Sequence, residues 1–140
     1  RKVKDAVSLP VIANGDICSL EDARTALEQS GADGVMIGRG AYGRPWLLAQ
    51  VMSDLTGGGH KPDPSMDEQL EVILEQYDAM QSLYGTQTGV NLARKHIGWY
   101  TKGLTASAEF RNRVNTQDNP AVVIEMLREF YAPWLSRAAA

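Results

Sequence analysis

Cysteine is nearly absent from this sequence, which has Cys18 as its only thiol in 140 residues. One thiol cannot form an internal disulfide or a cysteine-based metal cluster, and it favours a reducing compartment. Long apolar runs are also missing, since none approaches the roughly 18 residues that a membrane-spanning helix needs. The first residues, 1–11, lack the apolar stretch of a signal peptide. We therefore expect a cytoplasmic protein with no metal site and no membrane contact.

An excess of positive charge is missing as well, because 14 lysine and arginine residues face 17 acidic ones, for a net charge of −3. No global positive field is available to attract nucleic acid, so any such attraction must be local. The hydrophobic content of 44% is enough for a packed core in a chain of this length. The sequence opens without a methionine, and we interpret it as part of a longer protein.

Glycine and proline are concentrated in one segment, Thr56–Pro64, which contains three glycines and two prolines. Neither a helix nor a strand continues through such a composition, so it predicts a linker. Before this segment, short apolar runs alternate with helical patterns, and after it only helical patterns are found. The predicted organisation is an α/β segment at 1–56, a linker at 57–64 and an all-α domain at 65–137.

The α/β segment is predicted to contain two βα units. Apolar runs at 9–13 and 34–38 do not alternate with polar residues, which is typical of strands buried on both faces. Ser19 is the predicted N-cap of a helix that ends at Gly31, and Pro45 precedes a second helix. Two strands that alternate with helices in this way require a parallel sheet.

The all-α domain is predicted to be a four-helix bundle. Ser65 and Glu68 form a capping-box pattern ahead of an amphipathic stretch that reaches Tyr84. The predicted helices cover 65–84, 90–102, 106–114 and the residues after Asn119-Pro120. An aromatic stripe on the last helix is predicted to belong to the core; it consists of Phe130, Tyr131 and Trp134.

Two glycine turns carry the main chemical signal. Asn14, Gly15 and Asp16 follow the first predicted strand, and Gly38, Arg39 and Gly40 end the second. Barrels and open sheets bind ligands at the carboxyl ends of parallel strands. The glycines let the backbone approach a bulky anion, and Arg39 with the following helix N-terminus would bind a phosphate. Tight strand-to-helix turns alone would also explain these glycines.

Cys18 follows the first glycine turn, and no histidine that could activate its thiol lies nearby in sequence. We predict a half-buried packing residue rather than a nucleophile. The sequence therefore offers no catalytic residue of its own.

A local basic region spans residues 91–113, where five basic residues face a single acidic one. Two adjacent helical stripes carry Lys95, Trp99 and Lys102 on one and His96, Tyr100 and Gly103 on the other. Cations interleaved with aromatic rings suit contacts to the phosphates and unpaired bases of RNA. The alternative is a solvated basic face whose aromatic rings pack inside the domain.

Several of these segments resemble one known family. Pro10–Ile17, Gly31–Ala41 and Gly43–Trp46 are similar to the seventh and eighth barrel strands of tRNA-dihydrouridine synthases, with the bacterial B-type group the nearest in pattern. Asn91–Tyr100 resembles the signature of that group's helical domain. Other FMN barrels share the first motif, so the combination with the helical signature is what makes the resemblance specific.

The resemblance implies the last two βα units of a TIM (β/α)8 barrel followed by a helical tRNA-recognition domain. It implies FMN as cofactor, NADPH as reductant, and reduction of uridine in tRNA to dihydrouridine. The flavin phosphate side would be lined by Asn14, Gly15, Asp16, Gly38 and Arg39. Contacts to tRNA are predicted for Arg94, Lys95, His96, Tyr100 and Lys102. The family's catalytic cysteine lies in an earlier barrel loop, so this chain alone is expected to be inactive, and no stable protein partner is expected.

Two other interpretations stay open at this point. The chain could be a non-catalytic RNA-binding or regulatory module that uses only its helical half. It could also belong to another FMN-barrel oxidoreductase that acts on a small molecule, such as a dihydroorotate or dihydropyrimidine dehydrogenase. An all-helical tail with a basic signature is not expected of the latter.

Overall fold

The computed structural model describes residues 1–138 and the side chains of residues 1–135. The chain divides into two compact units, Arg1–Asp63 and Pro64–Ala140. The first unit contains α1 (Lys2–Ala6), β1 (Ile12–Asn14), α2 (Leu20–Ser30), β2 (Gly34–Met36), a 3₁₀ turn (Arg39–Ala41) and α3 (Leu47–Leu55). The second contains α4 (Met66–Tyr84), α5 (Thr86–Tyr100), α6 (Ser107–Val114) and α7 (Pro120–Ala138).

The two strands of the first unit pair in parallel, as predicted from the alternation of strands and helices. Ile12 lies opposite Gly34, and Asn14 lies opposite Met36. The core of this unit is small. Its buried members are Ile17, Ala23, Leu47 and Val51, and Leu20, Ala26, Val35 and Ile37 pack against them.

The prediction that both strands are buried on both faces is wrong for this structure. Ile12 is 55% exposed and Met36 is 54% exposed. Helix α2 packs against both strands, and a single helical layer can cover only one face of a two-stranded sheet. Helix α1 was not predicted either; the Lys4 ammonium holds it to the Asp33 carboxylate at 2.6 Å.

Helix α2 begins and ends where the sequence predicts. The Ser19 hydroxyl accepts a hydrogen bond of 3.0 Å from the Asp22 backbone N–H, which satisfies one of the unpaired amides of the first turn. Gly31 closes the helix in the left-handed conformation, with φ of 67°. The local rules for capping therefore suffice for this element.

The predicted linker has no helix or strand between 58 and 65, but it does not extend freely. The Asp63 carboxylate accepts hydrogen bonds from Trp46 Nε1 at 3.0 Å and from Gln50 Nε2 at 2.9 Å. Ser53 donates to the carbonyl of Gly59 at 3.1 Å. These bonds hold the segment back against α3.

The second unit contains only helices among its described residues, as predicted. Ser65 and Glu68 make both bonds of the capping box. Helix α4 packs against α5 and α7, and α6 packs against the same two helices. Their shared core is built from Leu70, Ile73, Tyr77, Val90, Ala93, Ile97, Tyr100, Phe110, Val114, Val123, Met126, Leu127 and Tyr131.

Helix α5 begins at Thr86, four residues before the predicted start. Gly89, which the propensity scale disfavours in a helix, lies in this added turn. A Cβ atom at that position would come within 2.6 Å of Gln81 Cα on α4. Close packing between the two helices, and not local propensity, therefore allows the helix to start earlier.

The aromatic stripe of α7 is only partly in the core. Tyr131 is fully buried, whereas Phe130 and Trp134 are half-buried. Phe130 stacks on Phe110 with ring centroids 4.1 Å apart. Within residues 1–138, no helix has both the length and the apolar content to cross a membrane.

Candidate cofactor and nucleic-acid sites

The two glycine turns meet at one cavity beyond the carboxyl ends of β1 and β2. The parallel register brings the ends of the strands side by side, because Asn14 pairs with Met36. The open cavity measures about 350 Å³. It is lined by Asn14, Gly15, Asp16, Ile17, Gly38, Arg39 and Gly40. All five residues predicted to contact a cofactor therefore lie around one opening.

The backbone of the first turn is unusual. Gly15 has φ of 148°, and Asp16 has φ of 44°, which is left-handed and uncommon for a residue with a side chain. A Cβ atom at Gly38 would meet no atom within 4 Å, so the backbone there is open to the cavity. This opening is what close approach of an anion requires.

Gly40 has a different reason to be glycine from the one predicted. A Cβ atom at Gly40 would lie 2.1 Å from the carbonyl oxygen of Ile17 and 3.0 Å from Cys18 Cα. The second turn therefore packs directly on the backbone of the first. Gly40 brings the two turns into contact, whereas Gly15 and Gly38 have open space where a Cβ atom would lie and leave backbone free for a ligand.

The charged side chains at the opening pair with each other. Arg39 Nη2 lies 2.7 Å from Asp16 Oδ1, and the two side chains are 78% and 82% exposed. An ion pair this exposed contributes about 0–1 kcal/mol to stability. The guanidinium can therefore exchange this carboxylate for a bound anion at little cost.

The predicted contribution of a following helix N-terminus is wrong. The residues after Gly38 form a 3₁₀ turn, and α3 begins only at Leu47. The amides of Ala41 and Tyr42 already donate to the carbonyls of Gly38 and Arg39. The segment bends back to reach the tight contact at Gly40 before a helix can start.

Cys18 is exposed, so the prediction of a half-buried packing residue is wrong. The apolar position next to the turn is occupied by Ile17 instead. The backbone N–H of Cys18 donates to the Asp22 carboxylate at 3.0 Å. That bond is the main reason why the pKa of Asp22 lies below its usual value.

Arg44 is a site residue that the sequence pattern did not single out. Its guanidinium donates to the carbonyl of Cys18 and, through Nε at 3.3 Å, to the carbonyl of Gly40. Arg44 therefore links the second glycine turn to the residue that follows the first. The only local signal was a second arginine close to Arg39, which does not distinguish a ligand contact from a clamp.

In the helical unit, Arg94 has a structural role. Its Nη2 donates to the Gln117 carbonyl at 3.1 Å and to the Asp118 carboxylate at 2.6 Å. Its side chain is only 25% exposed. Arg94 therefore tethers the loop between α6 and α7, which leaves it little freedom to reach a phosphate.

Tyr100 lies in the core, which contradicts its predicted place on an RNA-stacking stripe. Its hydroxyl donates to Gln76 Oε1 at 2.8 Å, and burial raises its pKa to about 12. The same Gln76 side chain lies 3.4 Å from His96 Nδ1. Burial and the adjacent Lys95 ammonium lower the pKa of His96.

Lys95 and Lys102 are exposed, which a contact with phosphates would require. The Lys95 ammonium lies 5.7 Å from the ring centroid of Trp99. The ring of Trp99 also meets the His96 ring edge-on at 4.8 Å. The surface formed by α5 and the turn after it therefore contains two exposed ammonium groups and a half-buried indole.

Comparison with known proteins decides the family. The family model described as dihydrouridine synthase (Dus) matches residues 1–133 of this chain. The chain belongs to the dihydrouridine synthase family. The Dus match includes both the cavity at the strand ends and the exposed side of α5.

Relatives of this Dus chain carry matching names. A probable tRNA-dihydrouridine synthase of Rickettsia bellii is 51% identical over 137 residues, covering 98% of this chain and 42% of the relative. The tRNA-dihydrouridine synthase B of Pseudomonas putida is 43% identical over 130 residues, covering 93% and 39% respectively. The chain thus spans about two-fifths of the length of the curated relatives it matches.

Proposed function

We propose that this chain is the C-terminal part of an FMN-dependent tRNA-dihydrouridine synthase, which reduces uridine in tRNA to dihydrouridine with electrons from NADPH. The single observation that carries the proposal is the cavity that Asn14, Gly15, Asp16, Gly38 and Arg39 form beyond two adjacent parallel strands. Its similarity to tRNA-dihydrouridine synthases supports the formation of dihydrouridine in tRNA.

The residues around the cavity suit the phosphate end of FMN. Gly38 leaves backbone exposed. The Arg39 guanidinium is also exposed, and its ion pair with Asp16 is weak. A guanidinium recognises phosphate through paired N–H donors. The Asp16 carboxylate would repel a phosphate, so we assign it, with the Asn14 amide, to the hydroxyl groups of the ribityl chain. When bound, FMN would supply the hydride that reduces the C5–C6 double bond of uracil.

We assign β1 and β2 to the last two strands of a (β/α)8 barrel. The exposed faces of Ile12 and Met36 support this assignment, because strands of such a barrel are covered on both sides. The resemblance assigns the proton donor to a cysteine in an earlier loop, and the exposed Cys18 does not replace it. This chain by itself is then inactive in uridine reduction.

We assign residues 65–137 to the helical tRNA-recognition domain, folded as a four-helix bundle. Lys95, on α5, and Lys102, in the turn that follows α5, are its phosphate contacts, and the Trp99 ring lies beside the Lys95 ammonium. We assign no direct tRNA contact to Arg94 or His96, because their own contacts lie within the helical unit. Their role is to position the residues of this surface.

The phosphate assignment is tested in the complete protein by Arg39→Ala. Loss of a charged hydrogen-bonding group should weaken FMN binding by roughly 10-fold or more. Riboflavin, which has no phosphate, should bind the variant and the parent alike. Arg1→Ala is the matched control, since Arg1 is another exposed arginine of the first unit paired with an aspartate. Fluorescence quenching of both flavins gives the affinities.

Unchanged FMN affinity in Arg39→Ala would remove the phosphate role, and equal losses for FMN and riboflavin would indicate a general disruption of the turn. If the phosphate role fails while the helical unit still binds tRNA, the non-catalytic RNA-binding module becomes the better function. Flavin binding with reduction of a free pyrimidine but not of tRNA would favour the small-molecule oxidoreductase.

A further inference from the structure

A groove runs along the helical unit between α6 and α7, and the proposed function makes no use of it. Three adjoining cavities of about 360, 180 and 390 Å³ form it. The first shares Glu129 and Phe130 with the second, and the second shares Arg113 and Met126 with the third. The groove is therefore continuous from the start of α6 to the loop that precedes α7.

The floor of this α6–α7 groove is apolar and, at one end, aromatic. Phe110 and Met126 line the middle and are 5% and 7% exposed. Phe130, Pro133 and Trp134 line the first cavity. The rings of Phe130 and Trp134 are 5.3 Å apart and tilted, so they form the two walls of an aromatic corner.

The rim of the groove is acidic. Glu109 lines it from α6, and Glu125 and Glu129 line it from α7. Arg113 is the one cation among the described lining residues. The ion pairs found within the described part of the chain engage none of these four side chains. Among the described side chains, no cation forms an ion pair with these carboxylates.

A backbone acceptor adds to the aromatic end. Pro133 lies inside α7 and has no N–H, so it cannot donate to the carbonyl of Glu129 one turn earlier. Both residues line the first cavity. The aromatic corner is therefore lined by a carboxylate residue and two aromatic rings, and the carbonyl of Glu129 lacks the N–H of residue 133 as a donor. Carboxylates, carbonyls and aromatic rings all favour a cation.

We propose that the α6–α7 groove binds a linear polyamine. A terminal ammonium would occupy the aromatic corner beside Glu129, and the methylene segments would cover the apolar floor at Phe110 and Met126. Glu125 and Glu129 are one helical turn apart, about 6 Å along the axis. Ammonium groups separated by three or four methylenes have a similar spacing. RNA is the poorer occupant, because its phosphates would face the same carboxylates.

The test is to titrate spermidine into the protein at low salt and to measure the heat of binding by isothermal titration calorimetry. We expect saturable one-to-one binding that the double variant Glu125→Gln and Glu129→Gln weakens by roughly tenfold. The matched control is Glu71→Gln with Glu75→Gln on α4, which removes the same charge at the same spacing from an exposed surface outside the groove. This control should bind spermidine like the parent.

Two more variants separate a binding site from a structural effect. Arg113→Gln removes the cation from the groove and should strengthen spermidine binding by a few-fold, which a damaged fold would not do. Trp134→Leu removes one aromatic wall and should weaken spermidine binding. Circular dichroism checks that this variant is folded. Equal losses in the groove and control variants, or binding of an oligolysine peptide or tRNA at the groove without binding of spermidine, would overturn the proposal.

Discussion

At the scale of single residues, the two turns at the cavity depend on contacts that no local rule contains. Gly40 packs against the backbone at Ile17, and Arg44 bonds to carbonyls of both turns. Arg39, only five residues before Arg44, points to the cavity instead. Residues of the same type and in the same short segment thus divide into a ligand contact and a structural clamp.

Gly40→Ala should destabilise the first unit by roughly 1–3 kcal/mol, because the added methyl group collides with a backbone carbonyl that has no room to move. Gly98→Ala provides the contrast. Its Cβ would meet only Arg111 Cδ at an ordinary 3.5 Å, and alanine is the better helix former by roughly 1 kcal/mol. Chemical denaturation measures both changes, and equal effects of the two variants would contradict this reading of the turn.

At the scale of elements, α5 has two different sides. Ala93, Ile97 and Tyr100 are buried against neighbouring helices. Lys95 is exposed on the same helix, and Lys102 lies in the turn that follows it. The basic signature in the sequence therefore includes both core and surface positions.

Removing both ammonium groups, by Lys95→Ala with Lys102→Ala, should weaken tRNA binding and flatten its salt dependence. Each lost phosphate contact lowers the slope of log affinity against log salt by roughly 0.7 to 0.9. Lys61→Ala with Arg128→Ala removes the same charge from exposed positions elsewhere and should leave the slope unchanged. Filter binding over a range of salt concentrations measures the slopes, and identical slopes in both double variants would exclude this side of α5 as the interface.

The contact between α4 and α5 should also respond to pH through His96. Because burial and Lys95 lower the pKa of His96 in the folded chain, the unfolded chain binds a proton at a higher pH than the folded one does. The free energy of unfolding should therefore fall as the pH decreases from about 6.5 to the lowered pKa, and change no further through this group below it. Neutral His96 can accept a hydrogen bond at Nδ1 from the Gln76 amide N–H. Once Nδ1 is protonated, it can no longer accept this bond, and two N–H donors face each other.

Urea denaturation at several pH values checks this expectation. His96→Gln should remove the decrease in this window, whereas His60→Gln should keep it, because His60 is exposed in the linker and is the only other histidine. A pH dependence that disappears with His60→Gln and persists with His96→Gln would contradict the assignment.

At the scale of the whole molecule, the two units have unequal cores. The first is centred on Ile17, Ala23, Leu47 and Val51, whereas the second buries several aromatic rings and long aliphatic side chains on four packed helices. Stability against local opening increases with buried apolar contacts. The two units should therefore open with different free energies.

Hydrogen exchange followed by mass spectrometry should show this difference. Amides of β1, β2 and α2 should exchange at least about tenfold faster than those in the middle of α4 and α5, where a lower population of open states is expected. Equal protection of both units would mean that the small core of the first unit is as stable as the helical one, and that burial does not set the order of opening.

The sequence alone determined the features that depend on neighbours along the chain. Caps at Ser19 and Ser65, the left-handed Gly31 and the helical content after Pro64 follow from hydrogen-bonding and conformational rules within a few residues. The alternation of strands and helices was likewise enough to predict the parallel pair. It also led to the expectation that the two glycine turns lie together.

Only the tertiary structure decided what each side chain does once those elements pack. Tyr100 became core and Arg94 a tether, because α5 lies between helices that are distant in sequence. Cys18 became exposed because Ile17 occupies the apolar position beside the turn. Burial and pairing depend on contacts between distant segments, which a one-dimensional pattern does not specify. For that reason the elements and their caps could be predicted from the sequence, whereas the burial and pairing of Arg94, Tyr100 and Cys18 could not.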